Sequence, residues 1–254
     1  MAYTFYKDNR EFIKALGGHG ELVTIQQEVD WDLEMGAIVR RVCEKKLAAP
    51  YFKKIKDYPR FEALGAPLAT YRRLAIAMGM DPKASIPEIS DEYVRRTTGN
   101  PIQSVLVDRK NAPCKENILI GADADLFKLP GPMVHEGDGG RYLATWHFVV
   151  AKDPDTGTVN WGMYRQMVFD EKTMVGPVLP FSDMGKMFYG KYVPKNKPMP
   201  FATVIGCDPL SGIAACAPSP IPEDQFTGML MGKPVDLVKC ETCDLEVPAH
   251  AEII

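Results

Sequence analysis

Hydrophobic positions in the first hundred residues alternate between two periods. Residues Glu11 to Leu16 predict a short amphipathic helix, stopped by Gly17-Gly18. From Glu21 to Val29, the apolar positions Leu22, Val23, Ile25 and Val29 predict a strand. Asp30 and Asp32 then suggest a helix start, because carboxylates favour the positive end of a helix. Its apolar face is Met35, Ile38, Val39 and Val42, the i, i+3, i+4, i+7 spacing. Tyr51-Phe52 and Ile55 predict another strand. Thr70 suits the N-cap of a further helix with a buried stripe of Tyr71, Leu74, Ala75 and Met78, and Gly79 suits its end.

The pattern changes near Pro113, where β-branched and aromatic runs punctuated by Pro and Gly take over. Leu143 to Ala151, Thr158 to Val168, Phe201 to Gly206 and Val235 to Cys240 predict strands. Gly131-Pro132, Gly137 to Gly140, Asp153 to Gly157 and Lys195 to Pro200 predict loops. One helix is expected around Ser182 to Tyr192. The expected class is α/β (α+β), with an amino-terminal α/β domain over 1–112 and a β-barrel or sandwich over 113–254.

Composition narrows the function classes. The 254 residues are 46% hydrophobic and 25% charged, which suits a globular chain with a sizeable core. A net charge of −3 with dispersed lysines gives no footprint for nucleic acid. No apolar window reaches the roughly 18–20 residues of a membrane span, and the start lacks a signal-peptide layout. The six cysteines are spread out, so reduced thiols in a cytoplasm are expected. Neither GxGxxG, GxxxxGK[ST] nor GxSxG occurs.

Few residues suggest chemistry on their own. Cys240 and Cys243 form the lone CxxC; without a second pair, a strand end with small buried thiols is the better reading than zinc or redox chemistry. The histidines at 19, 135, 147 and 250 form neither HxxxH nor HxH; His147 reads as a satisfied core or barrel-facing residue, and His135 in its Gly-rich loop stays open. The segment Asn160-Trp161-Gly162-Met163-Tyr164-Arg165 differs. Read as one strand, it places Asn160, Gly162 and Tyr164 on one face and Trp161, Met163 and Arg165 on the other. An Arg in an apolar strand needs an anion or carboxylate to meet it, so either an anion site or a strand-end salt bridge is implied.

Several collinear segments together resemble the UbiD family of decarboxylases. They include Arg10-Glu11-Phe12-Ile13, Glu28-Val29-Asp30, Arg72 to Gly79, Ala112 to Glu116, Asp138-Gly139-Gly140-Arg141-Tyr142, Asn160 to Arg165, Pro220-Ile221-Pro222-Glu223, and Val238 to Thr242 with Asp244 to Pro248. The resemblance implies prenylated FMN held in a split β-barrel, and reversible decarboxylation of aromatic or α,β-unsaturated acids. It also implies a divalent cation (Mn2+, or Mg2+) at Asn160, Asp183 and Glu223, with K+ nearby. Arg165 falls on the family's catalytic, carboxylate-binding Arg. Gly162, Met163, Tyr164, Ser182, Ala217 and Pro218 would join these residues around the cofactor. An all-oxygen donor set suits a hard cation beside a phosphate.

Two departures accompany the resemblance. Asp183, after Ser182, stands where many members carry a metal-binding His. The chain also stops at Ile254, before the Glu-x-Pro-type segment that carries the family's acid/base carboxylates. It is therefore expected to be a partial chain, inactive or weak alone, with an incomplete barrel. The expected partners are a small aromatic or unsaturated carboxylic acid and CO2, with no nucleic acid and no membrane. A non-catalytic flavin-binding or scaffold subunit, and an FMN-binding split-barrel flavin reductase, are the alternatives. Unpaired barrel strands predict a homo-oligomer, or a hetero-oligomer with a subunit carrying the missing region; light scattering should find a mass above that of one chain.

Overall fold

The computed structural model describes residues 4–254. Helix α1 (Asn9–Gly18) is capped by Asp8, which accepts the Glu11 N–H at 2.8 Å, and it buries Phe12 and Leu16. Strand β1 (Leu22–Val29), helix α2 (Glu34–Lys45) and strand β2 (Ala49–Ile55) form a βαβ unit with parallel strands, and β3 (Ala63–Leu64) adds antiparallel to β2.

Helix α2 starts at Glu34, later than the acidic pair suggests. The Asp30 carboxylate instead accepts the Asp32 N–H at 2.9 Å, closing a turn of its own. Leu33 then has φ 66, a left-handed conformation that no helix can contain. Glu34 reaches back to accept the Asp30 N–H at 2.8 Å. The predicted face holds in part, with Met35 and Val42 buried.

Helix α3 (Tyr71–Ala77) has the expected Thr70 cap, whose side chain accepts the Arg73 N–H, and Gly79 follows at φ +65. Its buried face differs from the expected stripe. Tyr71 is 58% exposed, whereas Arg73, Ala75, Ile76 and Ala77 are buried. The helix is packed on two sides: Ile76 and Ala77 meet Phe12 and Leu16, and Ala75 and Met78 enter the main core. A wide buried face leaves no single stripe to read. Helix α4 (Ile86–Thr97) is an addition to the predicted elements. Ser85 and Glu88 form a capping box with Pro87 in the first turn, a sequence signature of a helix start.

Beyond α4 come β4 (Val105–Leu106), β5 (Tyr142–Ala144), β6 (His147–Lys152), β7 (Val159–Gly162), β8 (Gln166–Val168) and β9 (Met174–Val175). Helix α5 (Asp183–Met187) continues into a π-helical turn at Phe188–Tyr192. Then follow β10 (Phe201–Ile205), α6 (Pro209–Ala214), α7 (Glu223–Met231), β11 (Asp236–Lys239) and β12 (Glu246–Pro248). Together they make three small open sheets, in the orders β10-β6-β7, β12-β11-β4 and β5-β8-β9.

Two predicted strands are each broken. The run Leu143 to Ala151 bends at Thr145-Trp146, where the Trp146 ring lies on Gly212 of α6; a Cβ there would stand 2.7 Å from the indole. The run Thr158 to Val168 leaves one sheet after Gly162 and enters another at Gln166. Both breaks are places where the chain changes sheets.

The main core unites both ends of the chain. Ala75, Met78 and Ile89 from α3 and α4 pack with Phe148, Trp161, Leu210, Phe226, Leu230 and Val247. Arg96, 5% exposed, donates to the Met78 carbonyl at 2.6 Å and the Leu230 carbonyl at 2.9 Å, tying α4 to α3 and α7. Glu92 pairs with it at 2.7 Å and is held at a pKa of about 2, mainly by the Arg95 guanidinium. Among the described residues, no helix is long and apolar enough to cross a membrane.

Arg73 is fully buried, and its Nη1 donates to Glu21 at 3.2 Å and to the Leu47 carbonyl at 2.8 Å. Burial pulls its pKa down, since the charge is desolvated. Removing the counter-charge would strand a buried cation. Glu21→Ala is expected to lower stability by about 3 kcal/mol in urea unfolding, and Arg73→Met by clearly less.

Candidate functional site

The sheet β10-β6-β7 has two unlike faces. Phe148, Val150, Trp161, Ala202 and Val204 belong to the main core, with Trp161 stacked on Phe148 at 4.6 Å between centroids. The register pairs Ala151 with Asn160, Val149 with Gly162, and Thr203 with Val149. Alternation therefore puts Asn160, Gly162, Thr203 and His147 on the opposite face. That face mixes the polar and small residues His147, Asn160, Gly162 and Thr203 with the apolar Val149, Ala151, Phe201 and Ile205, where the core-facing residues named above are all apolar.

Glu223 stands at the first position of α7, a residue after Pro222, which offers no side-chain cap. Its carboxylate turns instead to the strand and accepts the Trp161 N–H at 2.9 Å. Burial pushes its pKa up to about 7; the Trp161 N–H pulls the other way, and the negative charges of Asp183 and Asp224 add to the rise. Asp183 is thus near enough to be felt electrostatically. It begins α5, is exposed, and pairs with Lys186 at 2.8 Å. Ser182 caps that helix, accepting the Gly185 N–H at 3.1 Å and donating to the Leu179 carbonyl at 2.7 Å. Both carboxylates sit at positive helix ends.

The segment after Gly162 departs from its predicted form. Met163, Tyr164 and Arg165 lie outside any strand, so the two-face reading stops at Gly162. Arg165 is exposed, not buried, and among the described residues its guanidinium has no ion-pair or hydrogen-bond partner. It is neither a strand-end salt bridge nor a core residue. Tyr164 folds its ring onto Gly162, where a Cβ would come within 2.6 Å, and its hydroxyl accepts the Met184 N–H of α5 at 3.2 Å. Met163 touches the Cys216 thiol, sulfur to sulfur at 3.2 Å, which brings the Ala217-Pro218 loop beside the same strand end.

The structure thus gathers Asn160 to Arg165, Ser182, Asp183, the Cys216 loop and Glu223 around the end of β7. Three residues contribute in ways the sequence did not reveal. Trp161 contributes through its backbone, which no side-chain pattern reveals. His147 binds the Tyr164 carbonyl through Nε2 at 2.8 Å, leaving Nδ1 buried without a partner. Cys216 had no signal at all. The remaining candidates fall outside. Cys240 and Cys243 are half-buried in the β11–β12 connection; burial pushes the Cys240 thiol up to about 12, the opposite of an activated thiolate. His135 is exposed beside Asp138, and His250 pairs with Asp236 at 3.0 Å.

The donor chemistry fits a hard cation. A half-buried carboxylate pushed up to a pKa of about 7, mainly by burial and further by the nearby Asp183 and Asp224 charges, is the arrangement a cation relieves. Asn160 adds an uncharged amide oxygen that can ligate a cation, while its buried, unpartnered nitrogen is left to donate to an anionic group. Among the described residues, no three His, Cys, Asp or Glu side chains form a metal cluster, so any ion there must draw on Asn160 or a ligand.

A family model described as 3-octaprenyl-4-hydroxybenzoate carboxy-lyase N-terminal domain matches residues 13–93. A second, described as the Rift-related domain of the same carboxy-lyase, matches residues 105–254. The chain belongs to the UbiD family. Within it, the chain is 34% identical to ferulic acid decarboxylase 1 of Saccharomyces cerevisiae, covering 96% of this chain and 51% of that one. Pyrrole-2-carboxylic acid decarboxylase of Pseudomonas aeruginosa is 35% identical, with 97% and 51% covered. The chain spans about half the length of the curated relatives it matches. Among solved structures, the closed form of Sedimentibacter hydroxybenzoicus vanillic acid decarboxylase superposes with a TM-score of 0.93 at 33% identity, covering 98% of this chain and 54% of that one. The UbiD-class enzyme HmfF from Pelotomaculum thermopropionicum, an evolved dimeric form in complex with prFMN, gives 0.88 at 30% identity, with 97% and 56% covered.

The Glu223 pKa carries a sign for stability. Its folded value of about 7 lies above its ordinary 4.5. The folded chain therefore holds a proton that the unfolded chain has released, and this contribution is full below 4.5 and lost as pH rises through about 7. Thermal melts should show stability falling over that window, and Glu223→Gln should flatten that part of the profile. A divalent cation should restore the loss at pH 7.5 while doing little at pH 5.

Proposed function

We propose that this chain is the amino-terminal and flavin-binding part of a UbiD-type decarboxylase acting on an aromatic or α,β-unsaturated carboxylic acid. The observation that carries the reading is the unpartnered, exposed Arg165 guanidinium, three residues after the strand β7 whose Trp161 N–H holds the Glu223 carboxylate. A guanidinium without a protein partner is a ready bidentate site for a carboxylate. Relatives named as decarboxylases of ferulic and pyrrole-2-carboxylic acids, and a solved relative in complex with prFMN, support it.

Prenylated FMN, when bound, would supply the electron sink for loss of CO2. The chain's own residues would do the rest. Gly162 leaves room at the strand end, and the backbone from Gly162 to Tyr164 with Ala217-Pro218 would line the flavin. Asn160, Asp183 and Glu223 would hold Mn2+ or Mg2+, which would neutralise charge at the cofactor, and K+ would be a further cation of the site. Arg165 would bind and orient the substrate carboxylate. Glu223, once ionised by the cation, would stay a ligand and not a proton donor.

We place the amino-terminal unit at 1–112 and the flavin-binding unit at 113–254, in a chain that works as an oligomer. The free cysteines support a reducing, cytoplasmic setting. The vanillic acid decarboxylase relative bears a two-component name and was also solved with one component truncated, which favours a hetero-oligomer as the second reading.

The protein is to be co-expressed with a flavin prenyltransferase, and its absorbance and ligand mass recorded. Bound prenylated FMN is expected, with loading at least ten-fold lower in Asn160→Ala and Glu223→Gln. Ordinary FMN together with NADH oxidation would mean a flavin reductase instead.

A further inference from the structure

Arg165 is exposed and has no partner of its own, yet the residues on either side of it are fastened. Before it, the Tyr164 carbonyl takes a hydrogen bond from His147 Nε2 at 2.8 Å, and the Tyr164 hydroxyl accepts the Met184 N–H at 3.2 Å. After it, Gln166 is buried and its side-chain oxygen accepts the Thr203 hydroxyl at 2.7 Å. A carbonyl only accepts, so the imidazole proton resides on Nε2 and Nδ1 carries the lone pair. His147 is 3% exposed, and burial lowers its pKa, which keeps the ring in this neutral form near pH 7.

These contacts fall where the chain needs them. Between Gly162 and Gln166 the backbone passes from one sheet to another, so Met163, Tyr164 and Arg165 have no ladder to hold them. The His147 side chain of β6 and the Met184 backbone N–H in the first turn of α5, each bonded to Tyr164, take the place of the ladder. The Tyr164 ring spans the gap, lying on Gly162 and reaching the helix that begins with Asp183.

We infer that His147 and Tyr164 are positioning residues that set where the Arg165 guanidinium stands relative to the Asp183 and Glu223 carboxylates. The inference rests on the decarboxylase reading of the site proposed above. His147 fixes the backbone one residue before Arg165, and Tyr164 ties that backbone to the helix carrying Asp183. Without the clamp, Arg165 keeps its charge but loses its place. A misplacement of about 1 Å can cost roughly a hundred-fold in a positioned reaction.

The test compares an acid with its neutral isostere on prenylated-flavin-loaded protein. Benzoate and benzamide are titrated into the wild type, His147→Phe, His147→Gln and Tyr164→Phe, with flavin absorbance and urea midpoint measured on each. The wild type is expected to bind benzoate at least ten-fold more tightly than benzamide. That ratio should fall below about three-fold in His147→Phe and Tyr164→Phe and recover in His147→Gln, whose amide can still donate to the carbonyl. Loss of general stability would weaken both ligands alike and leave the ratio intact. A wild type that prefers benzoate, with both clamp variants preferring it equally, overturns the inference alone. A wild type that does not distinguish the two ligands overturns the proposed function itself. If His147→Phe fails to fold, Tyr164→Phe decides by the same ratio.

Discussion

The hydrogen bond from the Trp161 backbone to the Glu223 carboxylate is the constraint on which the site depends. It joins the carboxyl end of strand β7 to the first residue of helix α7, distant in sequence. One residue serves two layers at once: the Trp161 ring is anchored in the core against Phe148, and its N–H holds a carboxylate at the polar edge. Such a carboxylate is costly while charged and buried, which is why its pKa rises to about 7. A cation or a proton can pay that cost, and which one is present should decide the local stability.

The division of labour across the β10-β6-β7 sheet makes this possible. Its apolar face is pressed against α6 and α7 and merges with the helices of the amino-terminal half. Its other face carries the polar His147, Asn160 and Thr203 among apolar neighbours, and glycine at 162 keeps the strand end open until the Tyr164 ring closes over it. Precision on the polar face is therefore inherited from packing on the apolar one. The buried Arg96, bonded to carbonyls of α3 and α7, fastens the amino-terminal helices to the same core.

Arg165 illustrates the opposite design. Its charge is exposed, but Tyr164 before it is half-buried, Gln166 after it is buried, and both are bonded, so a fastened backbone carries a solvated head group. An exposed arginine keeps its hydration until a carboxylate replaces it, and avoids the penalty that Arg73 meets through Glu21.

Much of this was legible in the chain itself. Hydrophobic periodicity located α1, α3 and the βαβ unit, because local apolar spacing reports one buried face. Thr70 and Gly79 marked the limits of α3 because capping is a local matter. The collinear motifs from Arg10 to Pro248 identified the family, and the resemblance pointed to Asn160, Arg165 and Glu223 as residues to look for. Tertiary structure alone decided the rest. Periodicity cannot show where a strand changes sheets, so the breaks at Thr145-Trp146 and at Met163 to Arg165 were invisible. It also assigns one face per helix, and so misplaced Tyr71 on a helix packed on two sides. The exposure of Arg165, the clamp of His147 and the shifted Glu223 carboxylate all arise from contacts between residues far apart in sequence. Burial and electrostatics are properties of neighbours in space, and neighbours exist only once the chain has folded.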